Sequence, residues 1–225
     1  MYDQLYRESR LRVSDLTSSL GPDELSLMTP ACPDWSVFDV LAHLAGVGVA
    51  IATGRVGAPP SDEWTEEQVA ARRGRAVREL VAEWASNSAT VEQTPLESPL
   101  WLPILHDALS HEADIRGTID APAIPADVLA AAFTLIEQYL PRRLHPLGHV
   151  RLELDDRVIQ LGHAQLAHAE TVVATSLFEF WRGWFGRRSL AQLRSWVLAG
   201  DADAFAARLP VFAARDTDLV EAGGP

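Results

Sequence analysis

The stretch PILHDALSHEADIRGTI, residues 103–119, reads as one amphipathic helix with several functional side chains on one side. Residues four apart on a helix are rotated by only about 40°, so Asp107 and His111 lie one above the other, and Asp114 follows near the same side. A carboxylate and an imidazole stacked in this way can bind one divalent ion if a third ligand comes from elsewhere. The same stretch carries Arg116, whose guanidinium can pair with a carboxylate.

The third ligand that the sequence offers is His43. It lies in an apolar segment, residues 37–53, which is typical of a centrally buried helix. A neutral imidazole in such surroundings needs a hydrogen-bond partner or a metal ion. Facing helices of a bundle often build metal sites, so we predict that His43, Asp107 and His111 meet. The alternative is a core histidine that a hydrogen bond satisfies.

Composition limits the class of partner. The 225 residues carry a formal net charge of -12, with 19 Lys+Arg against 31 Asp+Glu, which argues against a nucleic-acid partner. A single cysteine excludes an intrachain disulfide and favours a reducing compartment. The N-terminus lacks an apolar signal core, and the longest weakly polar run, residues 40–53, is too short to cross a membrane. We therefore predict a soluble, cytoplasmic protein.

Hydrophobic periodicity predicts four helices in the first half of the chain, over residues 3–20, 37–53, 65–93 and 103–119. Ser36, with Asp39 three residues on, is a capping-box-like start for the second of them. Pro122 and Pro125 mark a domain junction. These features predict an N-terminal four-helix bundle over residues 1–122, which contains the metal site.

The second part, residues 126–225, has a different hydrophobic pattern, in which strands alternate with helices. After a helix at 126–140, short runs of β-branched or alternating residues predict strands at 150–154, 157–161 and 170–175. Helical segments follow from 176 and from 190, and the tail from 213 is expected to be loosely held. We predict a smaller α/β domain here, so the whole chain belongs to the α+β class and is mainly α.

Other reactive side chains and motifs give weaker indications of a functional site. Cys32 precedes a helix, where the pKa of a thiol can be lowered, but a small buried residue is the simpler interpretation. His106 is rotated by about 140° from His111, so the two imidazoles do not easily point at one ion. The sequence has no Gly-rich phosphate loop, no nucleophile elbow and no CxxC pair.

Three segments resemble a known family. CPDWSVFDVLAHL, residues 32–44, resembles the Cys-Pro-Gly-Trp-Thr-Val-x-Asp-Val-x-x-His-Leu signature of the mycothiol-dependent maleylpyruvate isomerase family, in the DinB-like superfamily. HEADIR, residues 111–116, resembles the second signature, in which a metal-binding His is followed three residues later by Asp. Residues 178–200 resemble the C-terminal region of the same group.

The resemblance implies a DinB-like bundle that binds a divalent metal ion, usually zinc, through one His on the second helix and a Glu-x-x-x-His pair on the fourth. His43 and His111 fall on the histidine positions. Asp107 falls on the Glu position; it is one methylene shorter and must approach more closely or bind through water. Family members attach or exchange a thiol at the metal, which implies mycothiol or a similar thiol as cofactor here.

Zinc with three protein ligands keeps a fourth position open, and coordination there deprotonates a thiol. Asp114 is then expected to orient a ligand histidine, and Arg116 to bind a carboxylate of substrate or thiol, with a salt bridge inside the protein as its alternative. We predict a metal- and thiol-dependent isomerase or S-transferase acting on a small electrophile. A non-catalytic binding or regulatory module and a metal-dependent hydrolase are the alternatives. The substrate, and whether the chain forms a homodimer, stay open.

Overall fold

The computed structural model describes residues 1–55, 61–162 and 171–221. Contacts divide the chain into two compact units, Met1–Ile124 and Pro125–Pro225. The first unit is helical and the second combines helices with a small sheet. The predicted α+β, mainly α, fold class is therefore confirmed. Among the described helices, none has both the length and the apolar composition needed to cross a membrane.

The first unit is a four-helix bundle with short additional elements. Its elements are α1 (Tyr2–Ser18), α2 (Pro22–Leu25), β1 (Met28–Thr29), β2 (Cys32–Ser36), α3 (Val37–Ala52), α4 (Asp62–Ala70), α5 (Val77–Glu92) and α6 (Trp101–Thr118). Helix α3 packs against α5 and α6, and α1 packs against α5 and α6. Strands β1 and β2 form an antiparallel pair. The pair lies between the helices predicted at 3–20 and 37–53, where the sequence analysis predicted no strand.

Helix α3 begins where its capping residues predict. The Ser36 hydroxyl accepts a hydrogen bond from the Asp39 amide at 3.2 Å, and the Asp39 carboxylate accepts one from the Ser36 amide at 3.0 Å. These two bonds satisfy amides that the first turn of a helix leaves unpaired. Most of the helix is buried, including His43 at 5% exposure. The cap thus fixes the register in which His43 faces the interior.

The predicted third helix, residues 65–93, is two helices in the structure. The chain turns between α4 and α5, where Gly74 adopts a φ of +81° that a side chain would disfavour. The turn is stabilised by Glu83, whose carboxylate accepts hydrogen bonds from Arg72 at 2.8 Å and from Arg75 at 2.9 Å. A capping bond from the Ala76 amide to the Glu79 carboxylate then starts α5. The prediction of one continuous helix was wrong, because the hydrogen bonds of Glu83 and Glu79 stabilise a turn between α4 and α5.

Gly48 allows α3 and α5 to approach closely. A Cβ added to Gly48 would lie 2.8 Å from Cδ1 of Trp84, which is 1% exposed and donates through Nε1 to the Tyr6 hydroxyl at 2.8 Å. Alanine is favoured over glycine in a helix by about 1 kcal/mol, whereas overpacking costs about 1–3 kcal/mol. Because the indole is held by its hydrogen bond, we expect Gly48→Ala to lower the free energy of unfolding by about 1 kcal/mol, measured by urea denaturation.

The matched control is Gly21→Ala, since a Cβ there meets no atom closer than 3.6 Å. Gly21 is an N-cap residue, where glycine and alanine differ by about 0.5 kcal/mol. If Gly48→Ala is as stable as the parent protein or more so, the packing of α3 on Trp84 is looser than described.

The second unit has helices around a four-stranded sheet. Its elements are α7 (Ala126–Glu137), α8 (Leu140–Leu144), a short 3-10 turn (His145–Leu147), β3 (Val150–Leu154), β4 (Arg157–Leu161), β5 (Thr171–Thr175), α9 (Leu177–Trp184), α10 (Leu190–Ser195), β6 (Val197–Ala199) and α11 (Ala202–Arg208). The strand order is β4-β3-β5-β6; β3 runs antiparallel to β4 and parallel to β5, and β6 runs antiparallel to β5. The three predicted strands are present, with residue 170 outside the described residues.

The tail is held more firmly than the sequence predicts. The Glu221 carboxylate accepts hydrogen bonds at 2.8 Å from Arg182 and from Arg188, two guanidinium groups with side chains of 0% exposure. Gln192 also bonds both the amide and the carbonyl of Leu219. The expectation of a loose tail was wrong for residues 213–221, because a carboxylate near its end pairs with two buried cations.

Candidate functional site

Helices α3 and α6 bring His43, Asp107 and His111 together. Oδ1 of Asp107 lies 3.4 Å from Nε2 of His43 and 3.6 Å from Nε2 of His111. The centroids of the two imidazole rings are 4.9 Å apart. Both histidine side chains are 7% exposed, whereas that of Asp107 is 31% exposed. The three donor atoms therefore converge at a buried position that is open to solvent beside the carboxylate.

The spacing of these donors fits a single small cation better than a hydrogen-bonded cluster. Nitrogen–oxygen hydrogen bonds usually have lengths of about 2.7–3.2 Å, so the 3.4 Å contact of Asp107 with His43 is a long hydrogen bond and the 3.6 Å contact with His111 is beyond one. Ligands at the corners of a tetrahedron around zinc, with bonds of about 2.0–2.1 Å, are about 3.3–3.4 Å apart. Two imidazole nitrogens and a carboxylate oxygen are also ligand types that zinc accepts. The donor set thus fits a zinc ion in both chemistry and spacing.

Asp114 lies behind His111, on the side away from Asp107. Its Oδ2 is 2.9 Å from Nδ1 of His111, a hydrogen-bond distance. An imidazole that donates through Nδ1 presents the lone pair of Nε2 to the opposite side, here toward Asp107. The predicted place of Asp114 beside a histidine of the cluster is therefore the one that the structure shows.

The surroundings of His111 favour positive charge. Burial by itself lowers the pKa of this imidazole, but hydrogen bonds with Asp114 and Cys32, together with the negative charge of Asp107, outweigh burial and raise the pKa to about 10. Without a metal ion, these surroundings favour the protonated form of His111, which lies between the carboxylates of Asp107 and Asp114. A metal ion that binds Nε2 takes the place of that proton.

Strand β2 contributes two side chains that the sequence did not assign to the site. The half-buried Cys32 has its Sγ 3.3 Å from Oδ2 of Asp114. The indole of Trp35 lies against both imidazoles, with ring centroids 4.9 Å from His43 and 5.8 Å from His111. Both residues belong to segment 32–44, which carries the family resemblance and also contains His43. Their presence in the same segment as a predicted ligand could have indicated that they lie at the site.

A second group of potential ligands consists of Cys32, His111 and Asp114. The 2.9 Å separation between Nδ1 of His111 and Oδ2 of Asp114 is that of a hydrogen bond and is shorter than the spacing of about 3.3–3.4 Å between tetrahedral zinc ligands. We therefore treat this group as the support of His111 and not as a ligand set. Among the described residues, the two donor groups leave out His106, in accord with its helical position.

The structure does not bring Arg116 to the cluster. Its Nε donates to Glu112 at 3.0 Å and its Nη1 to the carbonyl of Pro122 at 2.8 Å. Glu112 is fully buried and also accepts hydrogen bonds from Arg12 and Ser9. A salt bridge inside the protein, the alternative for Arg116, is what the structure shows.

The fold and this geometry define a helix-bundle protein with a candidate metal centre. Residues 6–116 match the family model described as the mycothiol maleylpyruvate isomerase N-terminal domain. The N-terminal unit therefore belongs to that family of domains. The match includes all three donors and Asp114.

Solved structures with the same fold include the mycothiol-dependent maleylpyruvate isomerase, with a TM-score of 0.57, and a His-to-Ala variant of it, with a TM-score of 0.56. Each is 18% identical in sequence, and each alignment covers 83% of this chain and 88% of the other. At this identity the likeness shows the fold alone. A comparison with curated proteins gave no match.

Proposed function

We propose that the protein is an enzyme that uses a divalent metal ion and a low-molecular-weight thiol of the mycothiol class to isomerise a small electrophilic substrate, or to transfer the thiol to it. The observation that supports this most is the convergence of His43, Asp107 and His111, with the spacing of zinc ligands, inside the domain that matches the family model. Zinc is the ion that this donor set favours.

In this proposal His43 and His111 bind the ion through Nε2, and Asp107 binds it through Oδ1. When bound, zinc offers an open position at which a thiol loses its proton near neutral pH. Asp114 holds the proton on Nδ1 of His111 and so keeps Nε2 available as a ligand. Although its side chain is one methylene shorter than that of Glu, Asp107 is placed for direct ligation, because its Oδ1 lies 3.4 Å and 3.6 Å from the Nε2 atoms of the two imidazoles.

The side of Asp107 is the proposed route for thiol and substrate, since this carboxylate is the most exposed of the three donors. Trp35 and the helices around the imidazoles restrict water on the other sides. Limited water favours thiol addition over hydrolysis of the substrate.

The test compares mycothiol with its S-methyl derivative in thermal unfolding of the zinc-loaded protein. A ligand present at 100 times its Kd stabilises by about 2.7 kcal/mol, which raises Tm by roughly 5–10 °C for a protein of this size. We expect this rise with the free thiol only, because the methylated sulfur cannot be deprotonated. An equal rise with the S-methyl derivative, or with zinc-free protein, would contradict thiol binding at the metal.

Turnover separates the proposed function from its alternatives. Thiol-dependent isomerisation of maleylpyruvate, the substrate named for the structural neighbours, or thiol-dependent adduct formation with another small electrophile, would support the enzyme. Ester hydrolysis without thiol would support a metal-dependent hydrolase. Thiol binding without turnover of any of these would support a binding module.

A further inference from the structure

Trp35 is the last residue before the helix cap of α3, and this position restricts where its side chain points. The next residue, Ser36, exchanges two hydrogen bonds with Asp39. The other oxygen of Asp39 accepts a hydrogen bond from Arg73 at 3.1 Å. Strand β2, which carries Trp35, is in turn paired with β1. The backbone of Trp35 is therefore fixed from two sides.

The indole of Trp35 lies against both imidazoles of the donor set. Its plane is inclined by 37° to the ring of His43 and by 39° to the ring of His111. Asp114, for comparison, forms a hydrogen bond with His111. Trp35 is thus a flat side chain, from an element outside the two ligand helices, that contacts both ligand rings.

We propose that Trp35 is a positioning residue that holds the imidazoles of His43 and His111 in the orientation that a divalent cation requires. The inference rests on the metal centre of the proposed function. An imidazole can turn about its Cβ–Cγ bond, and such a turn moves Nε2 away from the shared ion. A functional site must hold its ligands within about 0.5 Å of the productive geometry, so an indole against both rings restricts the motion that would weaken binding.

Simple packing is a weaker account of Trp35. The residue is only half-buried, so it contributes less to the core than the fully buried Trp84 and Trp101 of the same unit. Its neighbours on the buried side include the two rings that carry the donor atoms. A substitution here should therefore change metal binding more than it changes the stability of the metal-free protein.

The experiment is a Co²⁺ titration of the parent chain, of three tryptophan variants and of His43→Ala, followed by the visible absorption bands that report the coordination geometry of cobalt. Loss of a group that orients a ligand typically weakens metal binding 10- to 100-fold. We expect Trp35→Leu to raise the Kd for Co²⁺ about tenfold and to alter the bands, and Trp35→Phe, which keeps a flat ring, to stay within about threefold of the parent protein. Trp64→Leu, at another half-buried tryptophan of the same unit, should change neither.

Thermal unfolding of each metal-free variant shows whether it folds. If Trp35→Leu does not fold, Trp35→Ile, which has no donor atom for a metal and suits a strand, replaces it beside Trp35→Phe. Unchanged affinity and bands in a folded Trp35→Leu, or in Trp35→Ile where the leucine variant is lost, would overturn the inference. His43→Ala is titrated alongside. If it binds Co²⁺ as the parent does, the metal centre itself is wrong, and the outcome is distinct from failure of Trp35 alone.

Discussion

Replacement of His43 by alanine is expected to reduce the zinc content of the purified protein from about one ion per chain to almost none. The binding free energy of a four-ligand zinc site is about 10–16 kcal/mol, so each ligand contributes about 3–4 kcal/mol and its loss weakens binding by roughly 10²- to 10³-fold. In the proposed site only three protein ligands share the ion, so each of them should contribute a larger part of the binding free energy. His111→Ala should have the same effect, since its Nε2 is the other imidazole donor.

Asp107→Asn tests the same site while keeping the shape of the side chain. It replaces a charged oxygen ligand by a neutral amide, which zinc seldom accepts, so the zinc content should again fall. The measurement is elemental analysis after dialysis against metal-free buffer. His145→Ala, which removes an exposed imidazole in the other unit, should retain the zinc content of the parent. Full zinc in a folded His43→Ala protein would show that the three side chains do not form the metal centre.

The meeting of His43 with Asp107 and His111 could be predicted from the sequence because it depends on local patterns. An almost wholly apolar helix must lie centrally, and a four-residue spacing must place Asp107 and His111 on one face. The cap at Ser36 then sets the register of the helix. These regularities act within single helices. That the two helices face each other was predicted from the bundle architecture.

Contacts made between distant segments could not be predicted in this way. Cys32 and Trp35 reach the site only because β2 pairs with β1 and lies beside α3 and α6, a placement that no periodicity encodes. Glu112 and Arg116 are four residues apart on α6 and so form a local pair, but no spacing shows that Arg12 and Ser9 of α1 share the same carboxylate. The carboxylate of Glu221 likewise finds two arginines more than 30 residues away.

Glu112 illustrates how such a long-range contact fixes the site. It follows His111 directly on α6, and it is paired with Arg12 and Ser9 of α1 and with Arg116 of its own helix. This carboxylate therefore joins α1 to the helix that supplies two of the three donors. The bonds of Glu112 to α1 and the packing of α6 against α3 together restrict rotation of α6 about its own axis.

We expect Glu112→Gln to lower the free energy of unfolding of the first unit by about 3–5 kcal/mol, which corresponds to a fall in Tm of roughly 10 °C or more. Glu112 has 0% exposure, and its carboxylate lies 2.7 Å from Nε of Arg12 and 3.0 Å from Nε of Arg116. The amide keeps one acceptor but removes the negative charge, which leaves two guanidinium groups with no countercharge at this position. Such a loss is a large part of the 5–15 kcal/mol by which a domain is usually stable.

The matched control is Glu66→Gln, which removes the same charge from an arginine at almost the same distance. Glu66 lies 2.8 Å from Arg73, but the two side chains are 52% and 50% exposed. Exposed pairs contribute about 0–1 kcal/mol, because water screens them and stabilises the charge that remains. Thermal unfolding followed by circular dichroism, with hydrogen exchange of the α1 and α6 amides, measures both variants. Equal, small losses in the two proteins would mean that the Glu112 cluster is hydrated and does not hold α6 against α1.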